Sequence, residues 1–112
     1  MRVITGTARG RVLRTLEGED VRPTTDRVKE AVFSIIQFEI EGRRVLDLFA
    51  GSGQLGIEAL SRGAASATFV DMSKDSLSTV KYNLEHTKLG DNAKVVQTDA
   101  LSFLKLTKDK FD

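Results

Sequence analysis

The stretch Val45-Leu-Asp-Leu-Phe-Ala-Gly-Ser-Gly-Gln-Leu-Gly56 decides the fold. Val45 to Phe49 is short and almost wholly apolar, the pattern of a strand covered on both faces. Gly51-Ser52-Gly53-Gln54-Leu55-Gly56 then fits G-x-G-x-x-G. A helix from about Leu55 to Arg62 follows, with Leu55, Ala59 and Leu60 on its buried side and Gly63 as its stop. A strand, a glycine turn and a helix in this order form a nucleotide-binding crevice, because glycines let the backbone turn tightly and approach a ligand at the helix N-terminus. A glycine-rich turn with no ligand is the bland alternative, and the flanking strand and helix weigh against it.

Downstream the same rhythm repeats. Ala67 to Asp71 reads as a second strand, and Ser73 as the cap of a helix with the stripe Leu77, Val80 and Leu84, ended by Gly90. Ala93 to Thr98 gives a third strand and Ala100 to Leu106 a short helix, while Lys110-Phe111-Asp112 reads as the opening of a fourth strand. Strands alternating with helices across short connections imply parallel pairing. The expected fold class is therefore α/β, a Rossmann-like doubly wound parallel sheet.

Upstream, Val3-Ile4-Thr5 and Arg11-Val12-Leu13 flank a glycine-bracketed loop and predict a β-hairpin. Leu16 to Val21 is a polar, acidic connector. Thr24 or Thr25, after the single proline Pro23, caps a helix with Asp26 in its first turn. Val28, Ala31, Val32, Ile35 and Ile36 form its apolar stripe, with Lys29, Glu30 and Ser34 off it and Gly42 marking its end or the connector beyond. Two regions follow: residues 1–41, the hairpin and helix, and residues 42–112, the first three strands of the sheet.

The 112 residues allow one small domain, and a net charge of +1 rules out a general polycation. Absence of cysteine removes disulfides and thiolate metal sites, and no other metal-ligand spacing is present, so no metal is expected. No apolar run is long enough for a membrane span or a secretory signal, so a cytoplasmic protein is the expectation. Charge is unevenly placed: Arg2, Arg9, Arg11 and Arg14 fall within the first 14 residues, which hold no acid. A solvated arm and a contact with a polyanion both fit that pattern.

Ligand chemistry turns on three aspartates, each at the end of an expected strand. S-adenosylmethionine carries a sulfonium and an α-amino group, whereas a dinucleotide sets an anionic pyrophosphate on the helix N-terminus. Asp47, four residues before Gly51, favours the cation and would oppose a pyrophosphate by about a kcal/mol or more. Asp71 could hold ribose hydroxyls in either case, and Asp99 could accept from an adenine amine or simply cap the next helix. His86 reads as a solvated surface residue, and Tyr82 and Phe103 as packing groups. Neither a G-x-S-x-G elbow nor a Gly-Lys-Ser/Thr phosphate loop occurs, so hydrolase and NTPase readings lack support.

Val45 to Gly63 resembles motif I of class I S-adenosylmethionine-dependent methyltransferases. Taken with Arg22-Pro-Thr-Thr-Asp-Arg-Val-Lys-Glu30 and the Arg-Val-Ile-Thr-Gly…Arg-Gly-Arg start, the chain resembles the RsmD family, bacterial methyltransferases acting on guanine N2 of small-subunit ribosomal RNA. The resemblance implies that Asp47, Ala50, Gly51 and Gly53 line the methionine end of the cofactor and that Gly56 allows close helix packing. It implies Asp71 on the ribose, Met72 against the adenine, Asp99 and Ala100 at the adenine edge, and Thr24, Thr25 and Arg27 near the methionine carboxylate. Residues 1–41 would then serve as RNA-contact arm and cofactor-site lid, with Arg2, Arg9, Arg11 and Arg14 on RNA phosphates. The partner that the resemblance implies is ribosomal RNA or the small ribosomal subunit. The family's catalytic Asn/Asp-Pro-Pro-Tyr-type segment is expected after Asp112, so residues 1–112 alone are expected to be inactive and prone to self-association. A methyltransferase for another nucleic acid or a protein, and a catalytically silent cofactor- or RNA-binding module, are the rival readings.

Overall fold

Three parallel strands set the frame of the computed structural model, which describes residues 2–15, 23–36, 39–48, 50–107 and 110–111, with the side chains of 23–28 outside the description. The elements are α1 (Pro23–Ile36), β1 (Arg44–Asp47), α2 (Gln54–Ser61), β2 (Ser66–Asp71), α3 (Lys74–Thr87), β3 (Ala93–Gln97) and α4 (Ala100–Leu106), with a 3-10 turn over Gly90–Asn92. The sheet order is β1-β2-β3, as in one wing of a doubly wound sheet. Asp47 stands opposite Phe69, and Asp71 opposite Gln97. The middle strand is buried along Ala67, Thr68, Phe69 and Val70, as its near-continuous apolar run requires. The outer edge of β1 has no strand partner among the described residues.

Close packing fixes α2 on the sheet. A Cβ on Gly56 would lie 2.3 Å from Cε1 of the fully buried Phe69, so only glycine lets this helix approach. Ile57, Phe69, Val80 and Leu84 form the centre of the core between α2, α3 and the sheet. Val95 joins that core, whereas its neighbour Val96 lines a cleft with Ser102, Phe103 and Leu106 of α4. Alternation along β3 therefore places α3 and α4 on opposite faces.

The expected hairpin is reduced to a single antiparallel bridge between Arg2 and Val12. Val3 N–H bonds the Arg11 carbonyl and Gly10 N–H the Val3 carbonyl, but the next groups are spent elsewhere: Thr7 N–H donates to the Ser61 carbonyl at 2.8 Å, Ala8 N–H to Ser61 Oγ at 3.0 Å, and Ile4 and Thr5 N–H to the Glu58 carboxylate at 2.8 and 3.1 Å. Residues that bond to α2 cannot also form a ladder with each other. Gly6 marks the closest approach, since a Cβ there would fall 1.8 Å from the Ser61 carbonyl oxygen, and its φ is +96°. Val3, Ala8 and Leu13 are buried in the same cluster as Phe69 and Val80.

The stripe expected on α1 is displaced. Lys29 and Phe33 are buried and Ile36 half-buried, whereas Ala31 is exposed, Val32 is 46% exposed and Ile35 82%. The cause is a buried carboxylate: Glu58, with no exposed surface, draws Lys29 Nζ to 3.4 Å, and the ammonium also donates to the Arg2 carbonyl at 3.1 Å. Arg62 completes the cluster at 2.9 Å from Glu58 and lays its guanidinium 4.7 Å over the Phe33 ring. Helix α1 starts at Pro23, so Thr24 and Thr25 lie inside its first turn rather than capping it. A proline at the first helical position has no N–H to lose and its φ is already helical.

Other boundaries shift for local reasons. On α2, Leu55 is 48% exposed while Ile57, Ala59 and Leu60 are buried, and Gly63 does end the turn after Arg62 with φ +103°. Helix α3 stops at Thr87 with Lys88 in the left-handed region, so Gly90 opens the 3-10 turn instead of closing the helix. Lys110 and Phe111 are not in a strand; Phe111 packs its ring 6.2 Å from Phe103. The whole Leu16 to Val21 connector, and Asp112, lie outside the described residues. Among the described residues, no helix is long and apolar enough to cross a membrane and no group of His, Cys, Asp or Glu could hold a metal ion.

Candidate cofactor site

Parallel pairing brings the C-terminal ends of β1, β2 and β3 to one edge, and an aspartate stands at each or just beyond it: Asp47, Asp71 and Asp99. With strands about 4.8 Å apart, the three positions span ~10 Å across the sheet, and the register staggers each by two residues along it, a diagonal suited to an extended nucleoside. A backbone bond from Thr98 N–H to the Asp71 carbonyl, 3.1 Å, carries the alignment past the end of β3.

Asp71 is more than a ribose candidate. Its Oδ2 accepts from Gly51 N–H at 3.0 Å and its Oδ1 from Ser73 N–H at 2.8 Å, so one carboxylate clamps the glycine loop and the turn into α3. Bonds to an ionised acceptor are stronger than neutral ones, and each oxygen keeps a second lone pair for a ligand hydroxyl. The Ser73 bond is an Asx turn that Asp-Met-Ser could have announced. The Gly51 bond depends on strand register and could not be read.

The loop itself is built on left-handed glycines: Gly51 has φ +56° and Gly53, the N-cap of α2, φ +83°. Among the described residues no side chain caps α2 at Gly53, and the first N–H groups of a helix have no intrahelical partner. Ala50 is buried and continues the β1–β2 pairing through its N–H to the Val70 carbonyl at 3.1 Å. Gln54 Oε1 is a buried acceptor without a hydrogen-bond partner among the described residues, at the first turn above the loop. Helix N-terminal donors, a buried acceptor and strand-end carboxylates suit a ligand with both carboxylate and ammonium groups, as an amino-acid moiety has.

Asp99 is the N-cap of α4: Oδ1 accepts from Ser102 N–H at 2.8 Å and Oδ2 from Ser102 Oγ at 2.7 Å. The Ser102 hydroxyl and amide hold its carboxyl below the usual aspartate value. Ala100 is the first residue of α4, half-buried, and Met72 is 69% exposed just beyond β2. Thr24, Thr25 and Arg27 fall in the first turns of α1, with side chains outside the description. Arg2, Arg9, Arg11 and Arg14 are all exposed.

Three buried polar residues that fasten the N-terminal segment, Glu58, Ser61 and Asn83, were missed. Glu58 and its cations join the N-terminal segment to α2. Asn83, with no exposed surface, accepts from Arg14 N–H at 2.7 Å and donates to the carbonyls of Arg14 and Ser52, both at 2.9 Å, so it ties that segment to the glycine loop. The available signal was polarity on an apolar stripe: Asn83 follows Val80 by three positions, and Glu58 sits between Ile57 and Ala59.

A parallel sheet with this strand order, a glycine loop entering α2 and carboxylates along one edge define the class I methyltransferase fold. The chain belongs to the family described as Conserved hypothetical protein 95, whose model matches residues 1–112. Among similar proteins, "Putative rRNA methyltransferase YlbH" of Bacillus subtilis is 51% identical over 100 residues, 89% of this chain and 54% of the relative. "Ribosomal RNA small subunit methyltransferase D" of Escherichia coli is 46% identical over 104 residues, 93% of this chain and 52% of the relative. The structure of "Putative methyltransferase yhhF from Escherichia coli" superposes with a TM-score of 0.83 at 46% identity, covering 93% of this chain and 56% of that one. The chain thus spans about half the length of the relatives it matches.

Proposed function

We propose that the protein carrying this chain transfers a methyl group from S-adenosylmethionine to guanine N2 in small-subunit ribosomal RNA, and that residues 42–112 hold the cofactor. The observation that carries this reading is the Asp47–glycine loop–Asp71 constellation, in a chain akin over nine-tenths of its length to a protein named for that RNA. Bound there, S-adenosylmethionine supplies an electrophilic methyl on a sulfonium.

What this chain contributes is binding and orientation. Asp47 favours the cationic methionine end, the first N–H groups of α2 suit its carboxylate, and Gln54 Oε1 offers an acceptor. Asp71 takes the ribose hydroxyls on lone pairs left by Gly51 and Ser73. Asp99 offers the adenine amine the second lone pair of either oxygen, beside exposed Met72 and half-buried Ala100. Thr24, Thr25 and Arg27 approach from α1, and Arg2, Arg9, Arg11 and Arg14 meet RNA phosphates. A fixed site of this kind lowers the barrier chiefly by positioning.

Calorimetry on the full-length protein tests the cofactor. Tight binding of S-adenosylmethionine and its demethylated product is expected, weakened about tenfold or more by Asp71→Ala, which removes ligand contacts and the loop clamp together. Binding of NAD alone would reject the assignment. Transfer of labelled methyl to unmodified small subunits, with digestion to locate N2-methylguanosine, tests the substrate.

A further inference from the structure

Tyr82, which the sequence suggests is a packing group, lies 41% exposed on the outer side of α3. The Arg14 guanidinium sits 3.7 Å from its ring centroid, and the exposed His86 ring, one helical turn on, runs parallel to it within 10° at 5.9 Å. Three planar groups thus form a terrace open to solvent. Its position is fixed from below: Asn83, the next residue after Tyr82, grips the Arg14 backbone on both sides and holds the Ser52 carbonyl of the glycine loop. The Arg14 backbone is therefore anchored by a buried amide while its guanidinium rests on Tyr82, and the terrace is tied to the loop that carries the cofactor site.

We propose that this terrace is a stacking platform for an unpaired RNA base flanking the methylated nucleotide. The inference rests on the RNA reading above and deepens it. Aromatic rings and a weakly hydrated guanidinium plane are the surfaces on which single-stranded bases stack, whatever their identity, because every base has a π-face. Exposed Lys81 on the same helix, Lys88 at its C-cap and Arg9 and Arg11 on the tethered segment offer a polyanion four cations, against the exposed acids Asp75, Glu85 and Asp91. The terrace lies on the outside of α3 and not at the strand ends where the carboxylates stand, so it takes a neighbour of the target base.

The test uses the full-length protein, a single-stranded RNA carrying a fluorescent purine analogue, and a duplex of the same sequence. Tyr82→Ala and Arg14→Lys should each weaken single-strand binding by about tenfold and abolish the stacking quench, leaving duplex binding within twofold. Arg14→Lys should keep the salt dependence, since charge is retained while the planar surface is lost. Tyr82→Phe should behave as wild type, and affinity for the demethylated cofactor product should not move in any variant. Wild-type single-strand affinity and quench in Tyr82→Ala, with a normal melting temperature, would overturn the platform and leave the RNA reading standing. No binding of either RNA by the wild-type protein would overturn both.

Discussion

Gly56 and Asp99 show how much one residue controls. At Gly56 there is no room for a methyl: the Phe69 ring stands where a Cβ would go, and the ring is itself fully buried. Gly56→Ala should therefore destabilise by about 1–3 kcal/mol through overpacking, with part of the loss recovered by Phe69→Leu in the same chain. Denaturant titration of the two variants checks this. Asp99 acts through charge. Folding holds its carboxyl below the ordinary value because Ser102 bonds the ionised form. The cap therefore helps fully above the unfolded-state value, and that help is lost as pH falls through the folded one. An acid titration followed at the Ser102 amide should show the loss, and Asp99→Asn, which keeps a side-chain acceptor, should flatten it.

Among elements, α1 is held by electrostatics as much as by apolar contact. Its inward face presents Lys29 to Glu58, and both are out of water. Glu58→Leu should cost on the order of 3–5 kcal/mol, because it leaves a buried ammonium without its carboxylate. Glu58→Leu with Lys29→Met should recover part of that and no more, since the Ile4 and Thr5 N–H groups still lack their acceptor. Chemical denaturation of the single and double variants measures the difference. The same pair explains what was legible. Strands β1, β2 and β3 and helices α2, α3 and α4 could be read because local apolar period and glycine punctuation agree with the tertiary packing there. The α1 stripe misled because Glu58, distant in sequence, outbids Val32 and Ile35 for the buried side. The carboxylates at the strand ends were legible from strand boundaries alone, whereas the Asp71–Gly51 clamp and the Asn83 bridge depend on register and on long-range contacts.

At the scale of the molecule, the flank of β1, which has no strand partner among the described residues, is the dominant feature. A groove of about 370 Å³ runs beside it, lined by Val32, Phe33, Ile36, Val45, Leu46 and Leu55 among others. Apolar surface next to an unpaired strand edge favours association. Residues 1–112 prepared as an isolated polypeptide are therefore expected to self-associate, with a sedimentation coefficient that rises with concentration. Val32→Lys with Leu55→Lys should suppress that rise. A concentration-independent monomer before substitution would contradict the expectation.

The stitching of the N-terminal segment to α2 and α3 also has a kinetic meaning. Ile4 waits for Glu58, Ala8 for Ser61 and Arg14 for Asn83, separations of 54, 53 and 69 residues along the chain. Contacts so far apart require a large loop to close before they return any energy, so they form late and slow the overall reaction. During synthesis the segment emerges before α2 and α3, on which its anchors depend. Val3, Ala8 and Leu13, buried at the end, must spend that interval exposed. Residues translated ahead of α2 and α3 are thus secured only after them, and a protease or chaperone meeting the nascent chain will find them before the fold does.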